Sequence, residues 1–401
     1  MILSGGGTAG HIYPALALAD ELTARGVELL YVGTADGPEA RLATEAGLEF
    51  AAVSVAGFVR SKPLTLVTSS LKALRGMAEA RTVLRTYLPA GTSAAAICFG
   101  GYVSIPVGLA VLSDKIPLIV HEQNAHMGMT NRFLARRASF TALTYPKTTG
   151  LPGSLSEGLL EGHPFVQKES LESSKQSSVV EFVGNPVRRS ILASDAHRAR
   201  EQLGIPQCAK VLLVFGGSRG ARSINQALVA GAEKLLMAEP DLHIVHSTGP
   251  LEYDGVREDL GLRGVQEAGG SDRAGRYHVV SYIEDMGDML ASATLVVSRA
   301  GATSIAEIAA LGKPSVLIPY PFATEDHQSA NARSLVALGG ARLINDDQLD
   351  TAIFADTLLE LLSDDKLRST MGKQAATLGK PEAAARLADI VIARAEPFHN
   401  R

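Results

Sequence analysis

Chemistry in this chain can begin at Gly5-Gly6-Gly7-Thr8-Ala9-Gly10-His11, directly after the apolar residues Ile2 and Leu3. Glycine has no Cβ, so backbone at positions 5–7 and 10 can come close to a ligand. Pro14 is expected to open a helix, because its fixed φ suits the first helical turn. Amides at such a start favour negative charge or strong acceptors. His11 stands at the mouth of the turn, and histidine is the side chain that exchanges protons near neutral pH. Residues 4–11 therefore read as a place where a polar substrate meets a general base. The same residues spell G-x-G-x-x-G, a dinucleotide fingerprint. That reading needs an acid closing the next strand. The strand ends Tyr31-Val32-Gly33-Thr34, and Asp36 is already past it, which disfavours an NAD site and an oxidoreductase.

A second candidate lies at Gly301-Ala302-Thr303-Ser304, a turn at a predicted helix start suited to phosphate oxygens. Glu307 follows about one turn on, where a carboxylate can accept from both hydroxyls of a ribose. A plainer alternative is a capping box, with Thr303 or Ser304 as cap and Glu307 at its third position. Gly216-Gly217-Ser218, ending another strand of the same half, favours the ligand reading. No Asp-x-Asp ends a predicted strand and no His/Cys/Asp cluster has metal spacing, so neither metal nor cofactor is expected.

Six segments together resemble the MurG family of glycosyltransferases, which add N-acetylglucosamine to the lipid-linked muramyl-pentapeptide precursor of bacterial peptidoglycan. They are residues 1–14, Gly100-Gly101-Tyr102-Val103-Ser104, His121-Glu122-Gln123-Asn124, Gly184-Asn185-Pro186-Val187-Arg188, Gly216-Gly217-Ser218-Arg219-Gly220-Ala221 and the stretch from Arg299 to Glu307. The resemblance covers residues 1–345. It departs at Ala9, where the family usually has glycine, and in a longer connection over 148–180.

The resemblance implies an α/β GT-B fold: two Rossmann-like domains with parallel sheets facing a central cleft. It implies an inverting transfer from UDP-N-acetylglucosamine to the C4 hydroxyl of the undecaprenyl-pyrophosphoryl muramyl-pentapeptide. Donor contacts would come from Thr8, Ala9, Gly10, Asn124, Arg188, Ser218, Ile283, Ala302, Thr303, Ser304, Glu307 and Gln328. Gly7, Tyr102 and Glu122 would face the acceptor. Without the resemblance, Gln328 reads equally as part of a solvated loop. A sugar hydroxyl is a poor nucleophile until its proton is removed, and a positioned base contributes roughly 10²–10⁴-fold. His11 and Glu122 compete for that role. Alternatives are another lipid-directed GT-B enzyme, such as a diacylglycerol glucosyltransferase, and a non-catalytic nucleotide-sugar-binding protein. The presence of His11, Glu122, Glu307 and Gln328 argues against the latter.

The supporting elements follow from composition and periodicity. The chain has 401 residues, 46% hydrophobic and 20% charged, with a net charge of −4 that gives no argument for nucleic acid. Cys98 and Cys208 make no disulfide framework, and no secretion signal is expected before the first glycines. Strands and helices alternate, which implies parallel sheets covered on both faces. With the resemblance as guide, the expected boundaries are 1–182 for an acceptor and membrane-facing domain, 183–380 for a UDP-sugar domain and 381–401 for a helix that the family returns to the first domain. Residues 148–180 read as an irregular excursion. The uncharged run 86–113 is broken by Pro89, Gly91, Gly100, Gly101 and Pro106, so it reads as strand, turn and helix rather than a membrane span.

Between Arg60 and Arg85 the charges are Arg60, Lys62, Lys72, Arg75, Glu79, Arg81 and Arg85, interleaved with Leu64, Leu66, Val67, Leu71, Leu74 and Met77. Bases beside apolar residues suit anionic headgroups, placing the protein peripherally on the cytoplasmic face of the cell membrane. A charged solvent face is the alternative.

Overall fold

In the computed structural model, residues 1–55, 65–153, 155, 165–166, 179–217, 220–262, 275–350 and 352–399 are described. Two compact units form: Met1–Arg188 with Lys380–Arg401, and Arg189–Gly379. The division therefore falls after Arg188 rather than after residue 182.

The first unit is built on β1 (Ile2–Ser4), β2 (Leu30–Gly33), β3 (Glu49–Ala52), β4 (Ser93–Ala94), β5 (Ala96–Cys98), β6 (Leu118–Glu122), β7 (Phe140–Leu143), β8 (Phe165–Val166) and β9 (Val179–Phe182). Eight of them form a sheet in the order β3-β2-β1-β5-β6-β7-β9-β8, parallel except for the β8–β9 pair. Side chains alternate between its faces. Ile2, Leu30 and Val32 join one core cluster, while Leu3 and Tyr31 join another on the opposite face. The expected excursion over 148–180 is described only in part, and two of its pieces, β8 and the start of β9, extend this sheet.

The helix after the first turn is Ala9–Ala24, so Pro14 lies inside it rather than at its start. Thr8 is the N-cap, extended at φ −144° and ψ 151°. Its carbonyl accepts from the amides of His11 at 3.1 Å and Ile12 at 3.3 Å. Pro14 has no amide hydrogen, so it leaves the Gly10 carbonyl without its usual helical donor. The helix stops where expected. Gly26 takes φ +73°, and Val27 N donates to Leu22 O at 3.1 Å, the signature of a left-handed stop. The helix Ala383–Ala393 packs on this unit: Arg386 forms two bonds to the buried Glu181, at 2.8 and 2.9 Å.

The second unit contains β10 (Lys210–Phe215), β11 (Leu242–Ser247), β12 (Tyr277–Val280), β13 (Leu295–Arg299), β14 (Ser315–Ile318) and β15 (Ala341–Leu343). The order β12-β11-β10-β13-β14-β15 is fully parallel and is the 3-2-1-4-5-6 arrangement of a doubly wound fold. Leu212 and Val214 fill one side; Val211, Leu213 and Phe215 fill the other. In such sheets ligands bind beyond the carboxyl ends of the strands, where the order reverses. Those places are the β1/β5 edge in the first unit and the β10/β13 edge in the second.

The basic stretch is less bare than its sequence suggests. Its helix is Thr65–Tyr87. Arg75 pairs with Glu79 at 2.8 Å, and Arg81 and Arg85 reach Asp114 at 2.8 and 3.3 Å. The neutralising acid comes from another helix end, which a window over residues 60–85 does not contain. Met77 packs against the core rather than joining an outer patch. Arg60, Lys62 and Leu64, and the side chains of Leu66, Val67, Leu71, Lys72 and Leu74, lie outside the described residues.

Candidate active site

At the β1/β5 edge, two glycine turns interlock. Gly6 N donates to Gly100 O at 3.3 Å, and Ser104 Oγ donates to the same carbonyl at 2.8 Å. Gly101, at φ +78°, passes so close that a Cβ there would lie 2.2 Å from Gly6 O. From below, the buried Tyr31 hydroxyl donates to Gly5 O at 2.7 Å, and burial pushes that phenol well above its ordinary range. The loop is thus fixed before any ligand arrives.

His11 rests on this scaffold. Its Nδ1 lies 2.9 Å from Gly6 O and 3.2 Å from Thr8 Oγ1. A carbonyl only accepts, so Nδ1 carries the proton and Nε2 is the basic nitrogen. The Nε2 edge lies beside Gly100, whose Cβ position is 3.2 Å from it. Tyr102 covers Gly7, with its Cε1 3.3 Å from where a Gly7 Cβ would stand, and the ring is partly exposed. Gly7 and Thr8 are exposed, while Ala9 and Gly10 are half-buried.

Glu122 is placed differently. It is 1% exposed at the end of β6. Oε1 accepts from Asn124 N at 2.9 Å and Asn124 Nδ2 at 3.1 Å. Oε2 accepts from Gly128 N at 3.1 Å and Asn131 Nδ2 at 2.9 Å. Four donors fill the lone-pair directions of one carboxylate. Glu122 thereby ties residues 122–131 into one loop and fixes the Asn124 side chain. Its neighbour His121 is structural: Nε2 donates to Gly184 O at 2.9 Å, and burial lowers its pKa to about 4. Arg188 belongs to this unit, with its guanidinium 4.4 Å above the Tyr13 ring. The sequence reading grouped it with the second half.

In the second unit, the helix Ala302–Ala310 has Gly301 as its N-cap, at φ −66° and ψ 143°, with no side-chain cap. The capping-box alternative for Glu307 therefore fails, because Thr303 and Ser304 already lie inside the helix. Glu307 is 4% exposed. Thr303 Oγ1 is buried and has no hydrogen-bond partner among the described residues. Gln328 Oε1 accepts from Tyr320 N at 2.9 Å, which assigns the other end of the amide as its NH₂ donor. The preceding residues Glu325 and Asp326 both adopt left-handed φ, 55° and 50°, a strained pair that places Gln328 at the head of the next helix. Ile283 is half-buried just beyond β12. Ser218 lies outside the described residues.

Sequence reasoning missed two groups here. Arg299 donates to Asp346 at 2.5 Å and to Ser223 Oγ at 2.9 Å, tying the end of β13 to the segments that follow β15 and β10. Glu39, in the first unit, accepts from Gly7 N at 3.2 Å.

Comparison with known proteins matches residues 1–142 to the glycosyltransferase family 28 N-terminal domain and residues 211–387 to its C-terminal domain. The chain belongs to glycosyltransferase family 28. Within family 28 it is 37% identical over 391 residues to a UDP-N-acetylglucosamine–N-acetylmuramyl-(pentapeptide) pyrophosphoryl-undecaprenol N-acetylglucosamine transferase from Halothermothrix orenii, with 98% of both chains covered. The enzyme of the same name from Listeria monocytogenes is 34% identical, covering 97% of this chain and 98% of the relative. The crystal structure of Acinetobacter baumannii MurG superposes with a TM-score of 0.71 at 26% identity, covering 98% of this chain and 99% of that one. The expected α/β fold with two parallel-sheet units is that of the MurG branch of family 28.

Proposed function

We propose that this chain transfers N-acetylglucosamine from UDP-N-acetylglucosamine to the C4 hydroxyl of undecaprenyl-pyrophosphoryl-N-acetylmuramyl-pentapeptide, forming the disaccharide lipid used in peptidoglycan synthesis. The observation that carries this is identity of 34–38% across nearly the whole chain to transferases named for that reaction.

In this reading His11 Nε2 removes the proton from the acceptor hydroxyl. The oxygen forms a bond to C1 of the donor sugar as the C1–phosphate bond breaks, inverting that carbon. UDP leaves with the bonding pair. The Gly6 carbonyl on Nδ1 supports His11 as base, since it sets the tautomer. Glu122, engaged by four donors, serves to hold Asn124 toward the sugar. Tyr102 and Gly7 face the acceptor. In the second unit, amides of Ala302 to Ser304 and the Thr303 hydroxyl would take the diphosphate, where an uncapped helix start favours negative charge. Glu307 would accept from the ribose hydroxyls, and the Gln328 NH₂ would donate to the sugar.

A polyprenyl acceptor requires work at a membrane surface. No helix among the described residues is long and apolar enough to cross a bilayer. Peripheral attachment to the anionic cytoplasmic face fits both facts.

The test is UDP release from UDP-N-acetylglucosamine. It should be fast with the muramyl-lipid acceptor and slow without it. Equal release in both cases would contradict the transfer reading, and release stimulated only by diacylglycerol would favour the rival lipid glycosyltransferase.

A further inference from the structure

Glu39 lies on the first turn of the helix Pro38–Glu45 and is fully buried. Its Oε1 accepts from the Thr34 amide at 3.2 Å and the Thr34 hydroxyl at 2.6 Å; its Oε2 accepts from the Gly7 amide at 3.2 Å. Three glycines make room for it. A Cβ on Gly6, Gly33 or Gly37 would fall 2.6, 2.7 or 2.3 Å from Glu39 side-chain atoms. The chain gives up three side chains around one carboxylate.

The Gly7 amide and the Gly6 carbonyl belong to the same peptide unit. One end of that planar group meets Glu39, and the other accepts from His11 Nδ1 at 2.9 Å. Hydrogen bonds in series polarise one another. A carboxylate on the N–H makes the carbonyl oxygen more negative and strengthens its bond to the imidazole.

We infer that Glu39 is a positioning residue for the base: through the Gly6–Gly7 peptide it fixes the His11 ring with Nε2 basic and stabilises the imidazolium formed when Nε2 takes the acceptor proton. This rests on the proposed role of His11. The proton moves from the acceptor hydroxyl to Nε2, Nδ1 keeps its own, and Glu39 gains and loses none. Other ionisable groups surround the ring. Glu122 approaches through Asn131, whose amide lies 3.3 Å from the Gly100 Cβ position. Tyr102 covers Gly7, Tyr31 holds Gly5, and Arg188 lies over Tyr13 on the His11 helix. All five are unchanged in the variants below.

The experiment is Glu39→Gln, read by the pH profile of kcat/KM and by NMR titration of ¹³C-labelled histidines, with His11→Ala assigning the His11 signal. Loss of the negative charge makes the imidazolium harder to form. The acidic limb and the His11 titration should both move to lower pH by about 0.5–1 pH unit. Turnover should fall roughly tenfold while the donor KM stays within about twofold. A His11 titration unmoved in folded Glu39→Gln overturns the inference. A titration that moves while the activity limb stays put upholds the link to Glu39 and overturns His11 as base. Thr34→Val is the milder variant should Glu39→Gln not fold. It removes only the hydroxyl on Oε1, concentrating charge on the Gly7 amide, and should move the His11 titration slightly upward. No movement, or movement downward, overturns the inference.

Discussion

In the first unit, the turn after β1 has its Gly7 amide on Glu39 and its Gly6 carbonyl on His11. In the second unit, the turn after β13 enters a helix with Gly301 as its N-cap, beside a Thr303 hydroxyl with no partner among the described residues. Both turns lie at the carboxyl ends of parallel strands in doubly wound sheets. The first spends its polar groups internally and becomes a rigid holder for one side chain. The second keeps its donors for something else. A turn whose groups point inward suits chemistry that needs a fixed base. A helix start with unspent amides suits an anion.

The sharpest way to break this comparison is His11→Ala. Turnover should fall by roughly 10²-fold or more, as for a base used only in the transition state. Glu122→Gln is its control. It puts an NH₂ group among four donors, so its main effect should be a loss of stability on the order of 1–3 kcal/mol, seen in thermal or urea unfolding. If His11→Ala kept normal turnover and a well-folded Glu122→Gln lost it, the base would be Glu122.

The second unit is tested next. Glu307→Ala should weaken UDP binding, since each hydrogen bond to a charged group contributes roughly 1.5–3 kcal/mol. The capping role is excluded, since Gly301 is the N-cap, so the loss of UDP affinity should outweigh any fall in melting temperature. A large drop in stability with unchanged UDP affinity would return Glu307 to a structural role. Thr303→Val should act more gently, costing UDP affinity about 1 kcal/mol and stability almost nothing, since its hydroxyl bonds no group among the described residues. A destabilised protein with normal affinity would contradict the idea that this hydroxyl waits for a ligand.

The smallest effect concerns the membrane. Replacing Lys62 and Lys72 by Glu should reduce binding to anionic vesicles, and added salt should mimic the change. Arg81→Glu should instead destabilise the fold, because Arg81 is committed to Asp114. Equal vesicle binding by the Lys62/Lys72 variant and the parent at low salt would remove this segment from the membrane surface.

The sequence made the strands legible because parallel strands buried on both faces are short continuous apolar runs ending in glycine. Residues 211–215, running into Gly216, are of this kind, and residues 295–297 are a shorter run ahead of Gly301. Phe140–Leu143 is harder to see, since Thr141 interrupts its short apolar run. Pro14 misled because proline usually marks a helix start, whereas here Thr8 begins the helix and Pro14 costs it one internal bond. Glu39 was invisible because the acid was sought at a strand end, and it stands on the next helix, folded back over the glycines. The Asp114 pairings were invisible for the same reason. Each depends on contacts between segments that no local window contains. The grouping of His11, Tyr102 and Glu122 was legible because each follows a predicted strand, and strand ends gather at one edge of a parallel sheet.

UDP affinity measured by calorimetry on His11→Ala and Glu307→Ala, side by side with the parent protein, tests the division of labour most directly. The account predicts a dissociation constant within about twofold of the parent for His11→Ala and at least roughly tenfold weaker for Glu307→Ala. The reverse order, with UDP lost on removing His11 and kept on removing Glu307, would contradict it.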